Sequence, residues 1–220
     1  MFFAPRRLLA LGKKSAPSYA WMEIAVVPRT RRAALAQPPE QTTTFRLEFE
    51  LFGRKCPMAV ENFSTLCNGS SVVPATTAKD GIHESTFKDQ FLPQLTYKNS
   101  AFHRFMPGLC AQGGDIVSGD GTGQISIFGD TFDAAEETAG SAFDTRGLLG
   151  TAVSAPHMNG SQFFIVTHPN GLPHLNGTCI CFGRVTRGLE QLLGLESSLS
   201  FDYSGNPTDC SVTITDCGAK

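Results

Sequence analysis

The chain has 220 residues, a formal charge of −2 and 41% hydrophobic residues. This length suits one large or two small domains, and since no linker-like stretch divides it, one domain with a short extension is expected. The near-neutral charge gives no electrostatic argument for a nucleic-acid partner, and no apolar run approaches membrane-spanning length. Seven cysteines, an odd number without a CxxC pair, make neither a disulfide framework nor a zinc site. They fit reduced thiols in a reducing compartment.

Residues 1–17 carry Arg6, Arg7, Lys13 and Lys14 among leucines, with no acid. Two readings stand: a mitochondrial transit peptide, or a disordered or docking extension of a cytosolic protein. Residues 20–26 read as a first strand. Residues 28–43, with Arg29, Arg31, Arg32 and Pro38-Pro39, read as an exposed basic loop. Phe45, Leu47, Phe49 and Leu51 alternate with Arg46, Glu48 and Glu50, the period of a half-buried strand. Val60, Phe63 and Leu66 then have helical spacing over 58–67, and Asn68-Gly69 supplies a stop. Residues 70–95 show no periodicity and read as a long surface insertion, either a partner-binding element or decoration.

The hairpin FHRFMPGLCAQGGD at 102–115 sets Arg104 on one strand face with Phe102 and Met106. Pro107-Gly108 makes the turn, and the return strand brings Gln112 near Arg104. The arginine has two readings. It snorkels to solvent or pairs with a carboxylate such as Asp115, or its fixed planar fork of donors binds a carbonyl oxygen above an apolar pocket. The glycine-rich run at 113–129 lacks the Lys-Ser/Thr of a phosphate loop and is read as backbone turns. Strands are expected over 147–154, 161–167, 179–185 and 211–215, and a second helix over 188–195. Cys179 and Cys181, two apart, would share a strand face. Sequons occur at Asn68, Asn159 and Asn176; the second lies in NGSQFF, read as buried, so a secreted, glycosylated protein is not expected. This order of elements, with 22 glycines spread through it, fits a mainly β fold: a closed antiparallel β-barrel with two α-helices covering its ends, which removes open edges.

The blocks FELFGRKCPMAVENF (49–63), FHRFMPGLCAQGGDI (102–116), GTG…IFGDTF (121–132), NGSQFFI (159–165), HLNG…CFGRV (174–185) and TDCG (215–218) resemble the cyclophilins, in the same order, so that residues 18–220 form a cyclophilin-like domain with insertions. The resemblance implies a closed eight-stranded antiparallel β-barrel capped by two α-helices, peptidyl-prolyl cis/trans isomerase activity with no metal or organic cofactor, and proline-containing peptides or proteins as partners. It also implies that Arg104 is the catalytic arginine, Gln112 its support and Phe164 the floor of the proline pocket. His103, Leu109, Cys110, Ala152, Val153, Gln162, His174, Leu175 and Cys179 take the remaining groove positions. Several depart from the family's usual residues: Leu109 for phenylalanine, Cys110 for methionine, Val153 for asparagine and Cys179 for histidine. His174 stands where a cyclosporin-contacting tryptophan often lies, so weak or no cyclosporin binding is expected. The alternative is a weakly active or inactive cyclophilin-fold interaction subunit, held in a larger assembly through its 70–95 insertion. Neither a nucleic-acid nor a membrane partner is expected, and the location is mitochondrial or cytoplasmic.

Overall fold

The computed structural model describes residues 17–29, 42–70, 94–153, 155 and 158–220. The 1–17 extension and the bodies of the 28–43 and 70–95 insertions therefore lie outside the described residues except at their edges. Where the longer insertion leaves and rejoins the domain, Ser70 and Leu95 exchange two backbone hydrogen bonds of 2.8 and 2.9 Å. No helix among the described residues is long and apolar enough to cross a membrane.

Eight strands form one antiparallel sheet in the order β3-β4-β6-β5-β7-β2-β1-β8. They are β1 (Tyr19–Pro28), β2 (Thr43–Leu51), β3 (Arg104–Met106), β4 (Cys110–Gly113), β5 (Leu148–Thr151), β6 (Phe163–Val166), β7 (Cys181–Arg187) and β8 (Cys210–Ala219). The two ends of this order meet. Ala101 bridges Thr213, and Phe102 donates its N–H to the carbonyl of Val212 at 2.9 Å. The segment just ahead of β3 thus pairs with β8 and satisfies backbone groups that an open edge would expose.

That closure corrects one expectation. Phe102 belongs to the segment paired with β8, and the alternation does not run unbroken from it into β3. Its ring is buried in the core beside Phe105, centroids 6.3 Å apart, while Arg104 points outward. Cys179 likewise falls outside β7, which begins at Cys181, although both thiols enter the same apolar cluster.

Helix α1 (Pro57–Asn68) turns Val60, Phe63 and Leu66 inward, as their spacing requires. Phe63 lies 5.9 Å from Phe49, 5.3 Å from Tyr97, 5.5 Å from Phe163 and 5.1 Å from Phe182, which makes it the centre of the core. Helix α3 (Leu189–Ser198) packs through Leu189, Leu192 and Leu195. A short third helix, α2 (Ala135–Ala139), was not legible in the sequence because it is little more than one turn. It carries Glu137, whose carboxylate accepts the N–H groups of Met58 at 2.7 Å and Ala59 at 3.1 Å. Helix α1 has no side-chain cap of its own, so an acid from elsewhere in the chain meets its first free donors and positive end.

Candidate active site

Strands β4, β6 and β5 are buried on both faces along most of their length, which explains why residues 163–166 read as a continuous apolar run. Cross-strand partners share a face. One transverse row, Phe105, Ala111, Ile165 and Leu149, points into the core. The neighbouring row is Arg104, Gln112, Phe164 and Gly150, in register across four strands and directed outward. A third row, Met106, Cys110 and Val166, lies beside it on the same outer face.

The outward side chains form a second apolar cluster, separate from the barrel core. It contains Cys110, Phe143, Leu148, Phe164, Val166, Leu172, Cys179 and Cys181, with Met106, Ala152, Val153 and Leu175 partly buried against it. Phe164 is 5% exposed. Its ring packs 5.3 Å from that of Phe143, over Gly150, where a Cβ would stand 2.5 Å from Phe164 and 2.6 Å from Phe143. Glycine at 150 is thus what allows two rings to line the outer face at that row.

A line of amides crosses the site. Gln112 donates from Nε2 to Oε1 of Gln162 at 2.8 Å. Gln162 donates to the carbonyls of Gly121 at 2.9 Å and Gly123 at 2.7 Å. This fixes which way each amide faces and leaves the Gln112 carbonyl free to meet Arg104 or a ligand. The loop carrying those carbonyls is organised by Asp115, whose role the sequence reading missed. Its buried carboxylate accepts the N–H groups of Val117 (3.0 Å) and Ser118 (2.8 Å) on one oxygen, and of Gly121 (2.8 Å) and Gly123 (3.0 Å) on the other. Burial raises the Asp115 pKa, but the N–H donors outweigh it and hold the carboxyl below its ordinary value. The available signal was an aspartate opening a glycine-rich run, since short acids bond their own following backbone. Asp115 makes no ion pair with Arg104 among the described residues. Among those residues the guanidinium is exposed and uncommitted, on the row above Phe164.

Of the expected groove residues, Arg104, Gln112, Gln162, Phe164, Cys110, Ala152, Val153, Leu175 and Cys179 come together. Leu109 follows the turn with its side chain 43% exposed. His174 is exposed on a single turn of 3-10 helix at Pro173–Leu175, next to Leu175. His103 does not join the row. Its ring is 6% exposed, abuts Gly121, and lines a different cavity of about 370 Å³ with Arg29, Asp120 and Asp202. The order of burial explains this: Arg104 faces out, so its neighbour turns away from that face. Asn159, which the sequon reading expected to be buried, is 1% exposed and accepts from Thr151 Oγ1 at 2.7 Å.

The thiols at the site are neutral. Burial pushes Cys110 up to about 12 and Cys179 up to about 11. At neutral pH they are apolar lining and not nucleophiles. An apolar floor, an uncommitted guanidinium and oriented amides can hold a proline ring and donate to an adjacent amide without forming a covalent bond.

Residues 40–219 match the model of the cyclophilin-type peptidyl-prolyl cis-trans isomerase family. The chain is 38% identical over 177 residues to peptidyl-prolyl cis-trans isomerase H of Mycosarcoma maydis, covering 80% of this chain and 99% of that protein. It is 34% identical over 183 residues to isomerase D of the same organism, 83% of this chain and 41% of that protein. It is also 37% identical over 173 residues to the human NK-tumor recognition protein, 79% of this chain but 10% of that protein. The chain belongs to the cyclophilin family, and its activity is peptidyl-prolyl cis/trans isomerisation. The described β1, at Tyr19–Pro28, lies ahead of the matched region and completes the sheet between β2 and β8.

Proposed function

We propose that Arg104 supplies the decisive hydrogen bond of this isomerase, and that the enzyme acts on exposed X-Pro bonds of client proteins to assist folding or conformational switching. The carrying observation is the in-register row Arg104, Gln112 and Phe164 across three adjacent strands. Rotation about an X-Pro bond is slow because amide resonance sets a barrier of ~18–20 kcal/mol. The twisted transition state loses that resonance, and its nitrogen becomes a better acceptor. Phe164 and its cluster hold the proline ring, and Arg104 donates to the twisted amide more strongly than to the planar one. Only such a difference accelerates the step. Gln112, fixed by Gln162, orients the guanidinium or the substrate carbonyl.

We propose three finer readings as well. With exposed His174 next to Leu175, cyclosporin binds weakly, which calorimetric titration measures directly. The insertion after Ser70 docks a protein partner, and the basic 1–17 segment directs the chain to mitochondria or extends a cytoplasmic form; mass spectrometry of the native N-terminus separates those two. A second functional reading, an interaction subunit of low activity, is favoured by Leu109, Cys110, Val153 and Cys179 on one rim.

Isomerisation of a short X-Pro peptide by the wild type and by Arg104→Ala separates these readings. An active wild type with Arg104→Ala reduced about 10²–10³-fold, the usual cost of one transition-state donor, supports the enzyme reading. A wild type no faster than buffer removes it, and an unchanged Arg104→Ala removes the role given to the arginine.

A further inference from the structure

Glu196 sits where a carboxylate is least expected. It lies in the last turn of α3 (Leu189–Ser198), facing the negative end of the helix, and it is 8% exposed. No ion pair among the described residues neutralises it, so burial and helix dipole both oppose its charge. What it does have is two donors on one oxygen. Oε1 accepts the N–H of Gly108 at 3.1 Å and the hydroxyl of Thr167 at 2.9 Å.

Gly108 is the third residue of the turn that joins β3 to β4. Leu109 donates its N–H to the Met106 carbonyl at 2.8 Å, closing the turn, and Gly108 has φ +75°. Proline second and positive φ third define a type II turn. Type I differs from type II by a flip of the peptide between those two residues, and the N–H that flips is that of Gly108. A fixed acceptor on one side of the turn therefore decides its type. The following residue is held as well: the Leu109 carbonyl accepts the N–H groups of Thr167 at 2.8 Å and His168 at 3.1 Å. Glu196, through Thr167 and Gly108, ties helix α3 and the end of β6 to the hairpin that carries Arg104, Leu109 and Cys110.

We infer that Glu196 is a positioning residue for isomerisation: it locks the central peptide of the Pro107-Gly108 turn in its type II orientation and so holds Arg104 and Leu109 in place around the proline. The acceptor geometry at Oε1, and not the charge, does this. Glutamine presents the same oxygen to the same two donors, while leucine of similar size presents none.

The inference rests on isomerase activity in the wild type, which the same assay reads first. The values of kcat/KM and KM on a short X-Pro peptide are measured for wild type, Glu196→Gln and Glu196→Leu, at a temperature where circular dichroism shows each fully folded. Glu196→Leu is expected to lose about tenfold in kcat/KM, the effect of one hydrogen bond to a charged acceptor, and Glu196→Gln to recover to within about twofold of wild type. A folded Glu196→Leu with unchanged kcat/KM overturns the inference, because a merely structural residue would affect stability alone. So does a Glu196→Gln as impaired as Glu196→Leu. If Glu196→Leu does not fold, Glu196→Ala, which admits water to the two donors, is judged by the same criterion. If the wild type itself is inactive, the isomerase reading fails separately, and the Gly108 amide resonance decides: a proton shift that does not move between wild type and Glu196→Leu overturns the lock.

Discussion

Replacing Asp115 tests how the loop at 113–123 supports the site. In Asp115→Ala four N–H groups lose their acceptor. Val117 and Ser118 lie at the surface, so their donors turn to water at little cost. Gly123 is buried and Gly121 half-buried, so one to two donors stay unsatisfied at about 1–3 kcal/mol each, or about 3 kcal/mol together. For a domain of this size each kcal/mol lowers Tm by about 2–4 °C, so a drop of roughly 6–12 °C is expected. Asp115→Asn should be milder. Its one oxygen turns to the buried pair of glycines and its amide to the surface pair, so about half the loss is expected. Both variants loosen the carbonyls of Gly121 and Gly123 that hold Gln162, so kcat/KM on an X-Pro peptide falls along with Tm. The carboxyl is held below its ordinary value. Its stabilisation is therefore complete above the unfolded pKa of about 3.9 and is lost as pH falls through the lower folded value. Calorimetric scans at several pH values should show a constant gap between wild type and Asp115→Asn from pH 5 to 8, shrinking below about pH 4. An Asp115→Ala with Tm within about 1 °C of wild type, or a gap that widens on acidification, would refute this reasoning.

Three further outcomes follow from the outer-face cluster and the thiols. Phe164→Ala leaves a cavity beside Phe143 and should cost about 3–5 kcal/mol in chemical denaturation, with weaker binding of a proline peptide read by titration. Gly150→Ala drives a Cβ to within 2.6 Å of both Phe164 and Phe143. Overpacking of about 1–3 kcal/mol is expected, together with a KM increase larger than any change in kcat. Cys217 is partly exposed and its thiol pKa is lowered, chiefly by a hydrogen bond with Cys67, while burial pushes Cys67 and Cys110 up. Native-state labelling at pH 8, followed by mass spectrometry, should therefore modify Cys217 before either buried thiol.

Local pattern was enough for much of the architecture. The alternation Phe45, Leu47, Phe49, Leu51 read directly as β2, and Val60, Phe63, Leu66 as the inner stripe of α1, because each period is a property of the backbone. The Pro107-Gly108 turn was enough to bring the return strand back with Gln112 near Arg104, while the structure decided the register that makes the two direct cross-strand partners. Ordered motifs named the family. The run FFIV at 163–166, by contrast, is apolar at every position, so period alone could not separate Phe163, which faces the core, from Phe164, which faces the groove.

The sequence by itself thus determined the strands, the two long helices, the hairpin and the family. Those depend on interactions within a few residues or on motif order. Tertiary structure alone decided the rest: that Phe102 joins β8 and the core instead of the face of Arg104, that His103 turns into a separate cavity, and that Glu137 caps a helix 78 residues away. It also decided that the Glu196 carboxylate meets the Gly108 N–H and the Thr167 hydroxyl. A buried carboxylate takes whatever donors the fold brings to it, and sequence spacing does not record donors that arrive from distant strands.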